Sequence, residues 1–311
     1  MIGRGRDLSE RLDELVLKVK GGEAQRLDKY LGGSLNWTRT RMQELIRQGK
    51  IRVNGEPTKP SRKVRRGDEV TVELAREGIL PPDYDDFDLS ILYEDPWIVV
   101  VNKPPDLLVH PVGRHIYDTL INYLHFRYRG QKQEDGELIR PRLCHRIDKD
   151  TTGVVVVGKD PHVHNQVRHQ FESRLVSKEY LAVVAGRFPR DEEIQIPIGE
   201  GHDLESSLRH ETLRNAHTSV RVLERFEACS LLSCVPHTGR QNQIRIHLAA
   251  VGFPIVGDER FGGNEAPTGF PGRYILHSSA IRFLHPRLGS PVELSAPLPG
   301  DVLDLLEKLR G

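Results

Sequence analysis

The feature that most constrains this chain is a charged segment, residues 145–153, that runs directly into four consecutive valines, residues 154–157. A short β-branched run with a glycine on each side favours a buried strand over a helix. Asp148 stands just ahead of this predicted strand, with Arg146 and Lys149 beside it. Neighbouring cations favour the ionised carboxylate, and a carboxylate on a rigid element can act as a nucleophile or a base.

Most aspartates in polar turns only accept backbone hydrogen bonds, and that alternative applies to Asp148. The surrounding pattern is more specific, because it reads His-Arg-Ile-Asp-x-x-Thr-x-Gly after Pro-Arg-Leu at residues 141–143. It resembles the active-site signature of the RluA/RluD-like pseudouridine synthases. The resemblance implies that Asp148 is the catalytic residue, gives Asp150 no role, and suggests His145 and Arg146 as substrate-binding residues.

Two further motifs resemble the same family. Residues 102–111 read Asn-Lys-Pro-Pro-Asp-Leu-Leu-Val-His-Pro, with Asp106 where the family usually has glycine. If this position needs a positive φ, aspartate is one of the less costly replacements. Tyr180 stands in a Lys-x-Tyr pattern at the start of a predicted strand over residues 178–186. A lone strand tyrosine is usually half-buried packing, but the resemblance implies that Tyr180 packs against the target base.

A fourth motif, residues 238–248, reads Thr-Gly-Arg-Gln-Asn-Gln-Ile-Arg-Ile-His-Leu. Its resemblance to the family makes Arg245 the expected partner of Asp148, which it would orient and keep ionised. Gln241-Asn242 replaces the family's usual Thr-His, which puts a substrate contact there in doubt. Residues 276–280 and 295–299 resemble the family's closing pattern, which suggests Leu276 as a wall of the base pocket. Residues 199–217 fit the family poorly, and we expect them to bear on substrate choice.

The charge of the chain is concentrated near its start. Residues 26–69 hold twelve Lys and Arg against five Asp and Glu, a net +7, whereas the whole chain carries only +1. A solvated basic face is the simpler interpretation, but this density favours a phosphate-binding surface. The pattern also resembles the ribosomal-protein-S-four-like RNA-binding domain, which implies recognition of RNA shape and backbone. The predicted RNA-contacting residues are Arg39, Arg41, Arg62 and Lys63.

These patterns predict an α+β protein with four parts. Residues 1–24 form an N-terminal arm, either a short helix or frayed, and residues 25–77 form a small helix-plus-hairpin RNA-binding domain. Residues 78–89, rich in proline and carboxylates, form a linker. Residues 90–311 form the catalytic domain, for which a mixed, mostly antiparallel sheet is expected.

The sequence predicts a cytoplasmic protein without a membrane span. It has no run of about 18 apolar residues, and its first residues lack an apolar signal core. Its three cysteines form no paired framework and no Cys-x-x-Cys motif, which fits a reducing compartment.

Neither a cofactor nor a metal is predicted. There is no glycine-rich loop for a dinucleotide or phosphate. His162, His164 and His169 fall on one predicted helix, but their spacing does not place three ligands on one face. The expected partner is RNA, either ribosomal RNA or a ribosome precursor. The sequence does not identify protein partners or the oligomeric state.

The favoured hypothesis is an RNA pseudouridine synthase that flips a uridine out of structured RNA, with large-subunit ribosomal RNA as the expected substrate. Asp148 could attack the sugar, add to the base or remove a sugar proton, and the sequence leaves these routes open. One alternative is a non-catalytic RNA-binding or ribosome-assembly factor, which would bind RNA without forming product. Another is a nucleoside or glycoside hydrolase using Asp148 and Asp150, which would release free base.

Overall fold

The computed structural model describes residues 13–19, 24–35, 39–74, 87–112, 118–201, 203–263 and 272–311. The chain divides into two compact units, Met1–Pro81 and Pro82–Gly311. This division falls inside the predicted linker, residues 78–89, most of which lies outside the described residues.

The smaller unit combines a four-stranded antiparallel sheet with two helices and a short strand pair. Its elements are β1 (Asp13–Lys18), β2 (Gln25–Arg26), α1 (Leu27–Leu35), α2 (Arg39–Arg47), β3 (Ile51–Val53), β4 (Glu56–Pro57), β5 (Lys63–Val64) and β6 (Glu69–Leu74). The sheet order is β1-β6-β3-β4, and β2 pairs with β5. Asn54 and Gly55 both have positive φ and join β3 to β4, which is the turn that an Asn-Gly hairpin requires.

The structure differs from the predicted N-terminal arm, which was expected to be a short helix or frayed, because part of it forms a strand. Asp13–Lys18 is neither a helix nor a frayed end, because all six of its residues pair with β6. Leu17 packs against the core of the small unit, and Val19 after the strand is buried in it. Three consecutive apolar residues, 15–17, are too short a run to distinguish a strand from a helix in sequence alone.

The larger unit is built around one ten-stranded mixed sheet. Its strands are β7 (Ile91–Glu94), β8 (Ile98–Lys103), β9 (Arg142–Leu143), β10 (Thr152–Gly158), β11 (Ser177–Ala185), β12 (Glu192–Ile194), β13 (Thr218–Arg225), β14 (Cys229–Pro236), β15 (Leu276–Leu284) and β16 (Pro291–Ser295). Its helices are α3 (Leu120–Arg127), α4 (Pro161–Glu172), α5 (Leu204–Leu208), α6 (Gln243–Ala250) and α7 (Gly300–Arg310).

The sheet runs β12-β13-β14-β11-β15-β10-β8-β7, with β16 beside β15 and β9 beside β10. Of these pairings only that of β10 with β15 is parallel. The predicted α+β class, with a small helix-and-hairpin domain and a mostly antiparallel sheet domain, is therefore confirmed. Among the described helices, none is long and apolar enough to cross a bilayer.

The valine strand β10 lies inside this sheet with both faces covered. Val155 and Val157 pack into a cluster with Leu120 of α3, whereas Val154 and Val156 pack on the opposite face. A strand buried on both faces needs a continuous apolar run, which explains the uninterrupted valines. The predicted helix after it is α4, whose first turn is capped by the Asp160 carboxylate.

Gly153 allows the parallel contact between β10 and β15. It pairs with Ser278 and has a φ of +105°, and a Cβ at this position would overlap the Ser278 carbonyl oxygen. On its other side β15 pairs with β11, where Ser278 lies opposite Tyr180. Ser278 of β15 is thus paired with the end of the Asp148 loop on one side and with Tyr180 on the other.

Candidate active site

The loop that carries Asp148 joins β9 to β10, and a buried lysine holds it in place. The Lys103 Nζ donates to the carbonyl oxygens of Pro104 (2.7 Å), Leu107 (2.9 Å) and Lys149 (2.7 Å). Burial lowers the Lys103 pKa to about 7, against the attraction of Asp150 and Asp148. Because three acceptors match the three N–H groups of an ammonium, the geometry fits the charged form.

The other end of the loop is held from β15 and the segment before it. The Thr151 hydroxyl lies 3.2 Å from the Tyr274 hydroxyl, and the Thr152 hydroxyl lies 2.8 Å from Nδ1 of His277. All four residues are buried. The residue before Asp148, Ile147, is buried in the core of the unit. The Asp148 backbone is therefore fixed on both sides, while its own side chain stays 38% exposed.

Arg245 makes the ionic contact of this carboxylate. Its Nη1 lies 3.3 Å from the Asp148 Oδ2, as the resemblance led us to expect. Its Nε and Nη2 donate to the two carboxylate oxygens of Asp258, at 2.7 and 2.8 Å. The Arg245 side chain is 8% exposed and that of Asp258 only 1%. One edge of the guanidinium, formed by Nε and Nη2, is thus held by a buried bidentate pair, and the remaining nitrogen, Nη1, contacts Asp148.

The start of α6 completes the surroundings of Arg245. Asn242 adopts a left-handed conformation at the N-cap, and its Oδ1 accepts from Nη1 of Arg245 at 2.9 Å. The guanidinium carbon lies 4.2 Å from the ring centroid of Tyr274. Burial lowers the Arg245 pKa, but the Asp258 hydrogen bonds, Tyr274 and Asp148 outweigh burial and raise it. Asn242, noted as a departure from the family pattern, therefore positions Arg245.

Tyr180 lies on β11 where two core clusters meet. Its ring packs against both clusters, one of which contains Leu276 and the other Ile147. Burial raises the Tyr180 pKa to about 12, with an opposing hydrogen bond to Ser278 and a further increase from Asp148. The phenol is therefore protonated at neutral pH and lies within the electrostatic reach of Asp148. Leu276 itself is 5% exposed, so it forms part of the apolar packing beside Tyr180.

The structure places His145 in a supporting position. Its Nε2 accepts a hydrogen bond from the Val156 backbone N–H at 3.0 Å, and its ring stacks on Phe171. Burial, with a smaller contribution from Lys178, lowers the His145 pKa to about 3. This neutral imidazole holds the loop to β10 and α4, and a contact of His145 with the substrate stays a prediction.

The cations beside Asp148 in sequence do not pair with it. Lys149 forms an ion pair with Asp106, and Arg146 is exposed. Arg245 is therefore the cation that contacts the Asp148 carboxylate, and an effect of Arg146 and Lys149 on its ionisation stays a prediction. Asp106 has a φ of +59°, which accounts for the glycine usual in this motif. Asp258, Tyr274 and the role of Lys103 were missed, although Lys103 stands in the motif at residues 102–111.

Of the predicted RNA-contacting residues, Arg62 is half-buried and Lys63 is exposed beside it. Arg39 and Arg41 lie on α2, but their side chains fall outside the described part of the structure. All four belong to the smaller unit.

The segment that fits the motifs poorly, residues 199–217, packs on α6. Leu204 and Leu208 of α5 contact a cluster that contains Ile246, and the Arg240 Nε donates to the Asn215 carbonyl at 3.2 Å. This segment therefore adjoins the loop and helix that hold Arg245.

Comparisons with known proteins agree with this geometry. Residues 97–250 match the family model described as RNA pseudouridylate synthase, and residues 25–70 match the S4 domain. The chain is 38% identical to the uncharacterized RNA pseudouridine synthase YlyB of Bacillus subtilis, over 93% of this chain and 95% of that protein. It is 34% identical to the ribosomal large subunit pseudouridine synthase D of Vibrio cholerae, over 96% and 95%.

A solved structure is similar as well. Human RNA Pseudouridylate Synthase Domain Containing 4 aligns with a TM-score of 0.58 and 28% identity, covering 71% of this chain and 93% of that one.

Proposed function

Because this chain belongs to the RNA pseudouridine synthases, which are isomerases, we propose that Asp148 is the essential carboxylate and that large-subunit ribosomal RNA is the substrate. The observation that supports the first part is the half-exposed Asp148 carboxylate beside the otherwise buried Arg245. The second part is supported by relatives named ribosomal large subunit pseudouridine synthase D. A cytoplasmic location belongs to the same proposal.

The reaction breaks the bond between the sugar C1′ and N1 of the base and forms one between C1′ and C5. N1 gains a proton and C5 loses one, so no redox partner or group donor is needed. The uridine must leave the stack to be turned over, and we propose that it flips into the space in front of Asp148. Tyr180 then stacks on the base, and the apolar packing that includes Leu276 excludes water that could hydrolyse the cleaved intermediate.

Asp148 is suited to this role by what surrounds it. Glycosidic cleavage develops positive charge on the sugar, and a fixed carboxylate stabilises such charge. Arg245 restricts the carboxylate to one orientation without covering it, since a single guanidinium nitrogen contacts one oxygen. The Tyr180 phenol is protonated at neutral pH, so Tyr180 can both stack on the base and donate a hydrogen bond.

The smaller unit supports RNA as the partner. It matches the S4 domain over residues 25–70, where the net positive charge is concentrated. Phosphate contacts fix register and orientation on RNA without reading its sequence. We propose that Arg39, Arg41, Arg62 and Lys63 supply such contacts, and that residues 199–217 influence which uridine is chosen.

The test is pseudouridine mapping of total RNA from cells that lack this protein and are complemented with wild type, Asp148→Asn or Asp150→Asn. We expect one or more uridines of large-subunit ribosomal RNA to lose the modification in the deletion and in Asp148→Asn. Asp150→Asn is the matched control, since it removes a neighbouring carboxylate that lies outside the Arg245 contact, and it should restore the modification.

Each part of the proposal can fail separately. Modification restored by Asp148→Asn would remove Asp148 from the mechanism. A modification site found in another RNA would keep the mechanism and replace the substrate. If no uridine changes while the purified protein still binds RNA, the non-catalytic RNA-binding factor becomes the better account.

A further inference from the structure

At the edge of the large sheet, three strands bring together two histidines and a glutamate, none of which contacts Asp148 or Arg245. Glu193 lies on β12, His217 immediately precedes β13, and His237 immediately follows β14. The register places Glu193 opposite Ser219, and the His237 N–H donates to the His217 carbonyl at 2.9 Å. These positions are far apart in sequence, so only the strand pairing makes them neighbours.

Their side chains converge on one small volume. The His217 Nε2 lies 2.6 Å from the Glu193 Oε2, and the Ser219 hydroxyl donates to the same oxygen at 2.7 Å. The His237 Nε2 lies 2.6 Å from the Ser219 Oγ, and the two imidazoles stack with centroids 4.3 Å apart. One ligand atom from each of Glu193, His217 and His237 lies within 4.8 Å of the others.

We propose that Glu193, His217 and His237 bind a Zn²⁺ ion. Two imidazole nitrogens and one carboxylate oxygen are a donor set that zinc uses, with a fourth position left for water or the Ser219 hydroxyl. In a tetrahedral site the donor atoms stand roughly 3.4 Å apart, given bonds of about 2.1 Å. The His217–Glu193 spacing of 2.6 Å is shorter than this value, and the three ligand atoms all lie within 4.8 Å of one another. Glu193 and His237 are exposed, so their side chains can rotate to reach the tetrahedral spacing.

The electrostatic surroundings favour a cation. A groove of about 470 Å³ opens beside this cluster, and it is lined by several carboxylates and one arginine, namely Glu179, Asp191, Glu192, Glu193 and Arg221. In the part of the chain that the structure describes, His162, His164 and His169 of α4 do not form such a group. Within the described ranges the Glu193 cluster is the group of three that meets the ligand distances.

The proposed ion would be structural. The His217 N–H donates to the Thr238 hydroxyl at 3.0 Å, and this hydroxyl donates to the Gln243 Oε1 at 2.6 Å. Gln243 is the first residue of α6, the helix that carries Arg245. An ion bound at Glu193, His217 and His237 would therefore fix the ends of three strands next to the N-terminus of α6. Because it would bind only the folded state, it would also stabilise that state.

The test is titration of the full-length protein, stripped with EDTA, with ZnCl₂ by calorimetry and with Co²⁺ by visible absorption. We expect one ion per chain and the absorption of tetrahedral Co²⁺. His217→Gln, His237→Gln and Glu193→Gln should each weaken binding by about 100-fold or more, since even the loss of an outer partner costs 10–100-fold. His162→Gln, which removes an exposed histidine of α4, is the matched control and should bind like wild type.

A second measurement guards against misfolded variants. Saturating ZnCl₂ should raise the melting temperature of wild type and His162→Gln and leave that of His237→Gln unchanged, while the stripped proteins should melt alike. The proposal is overturned if wild type shows no stoichiometric binding, or if His237→Gln and Glu193→Gln bind as tightly as wild type. Pseudouridine formation does not enter either measurement, so this test is independent of the proposed reaction.

Discussion

Arg245 and the basic stretch at residues 62–66 carry the same sign of charge in different surroundings. The Arg245 side chain is 8% exposed, and its nitrogens contact Asp258, Asn242 and Asp148. In the basic stretch of the smaller unit, Lys63, Arg65 and Arg66 are exposed. A buried cation with fixed partners sets the orientation of one carboxylate, whereas exposed cations attract phosphate from many directions. Removing a charge should therefore have different consequences in the two regions.

The largest effect should come from breaking the buried pair. Asp258→Asn leaves the Arg245 guanidinium in the interior with its main partner neutralised, and we expect a loss of about 3–5 kcal/mol in the free energy of unfolding. Urea denaturation of the purified protein measures it. The double variant Asp258→Leu/Arg245→Met should lose less, because neither charge is left alone. A loss below about 1 kcal/mol in Asp258→Asn would mean that the pair does not anchor Arg245.

Arg245→Lys sharpens the comparison because it keeps the charge. An ammonium cannot reproduce the two parallel bonds to Asp258 and reach Asp148 as well. We expect kcat for pseudouridine formation to fall about 100-fold, a cost typical of small misplacements of a catalytic group, while the Kd for RNA stays unchanged. Single-turnover rates and binding measured on the same RNA separate the two. Wild-type kcat in this variant would show that positive charge alone is sufficient.

The paired substitution Arg62→Gln/Lys63→Gln should act in the opposite way. We expect weaker RNA binding, and the slope of log K against log salt should fall by about one for each phosphate that the variant no longer neutralises. The rate of the bound complex should not change, since these residues orient no reacting group. Binding titrations at several salt concentrations provide the measurement. An unchanged slope would exclude both side chains from the RNA interface.

The smallest effect belongs to the exposed pair of Asp106 and Lys149. Asp106→Gly removes an ion pair in solvent but keeps a residue that accepts the φ of +59°. We expect the free energy of unfolding to change by less than about 0.5 kcal/mol. Asp106→Val, which is strained at positive φ, should lose about 1–2 kcal/mol. Equal losses in the two variants would mean that the ion pair, rather than the backbone, matters here.

The sequence was informative wherever one contiguous motif carries the signal. The valine strand and the helix that carries His162, His164 and His169 depend on local preferences, and both were predicted. Asp148 and Arg245 were connected through motifs 97 residues apart, and the structure brings them together.

What the sequence did not reveal depends on partners that are distant along the chain. His145 was assigned to the substrate, but strand β10 and α4 supply its partners. Asp258 lies beyond the motif that contains Arg245, and nothing in the sequence indicated their bidentate contact. The two histidines and the glutamate at the sheet edge belong to no common motif, so residue spacing along one helix or strand does not predict their proximity.

The absence of a side chain at Gly153 has a consequence for how this protein can change over time. Because β10 and β15 approach each other too closely there for any Cβ, saturation mutagenesis at codon 153 should recover glycine alone. The valines around it are buried in tolerant apolar clusters, where conservative exchanges cost little. The distance between the end of the Asp148 loop and β15 is thus set by a backbone contact. Homologous proteins can therefore exchange the surrounding core side chains without changing this distance.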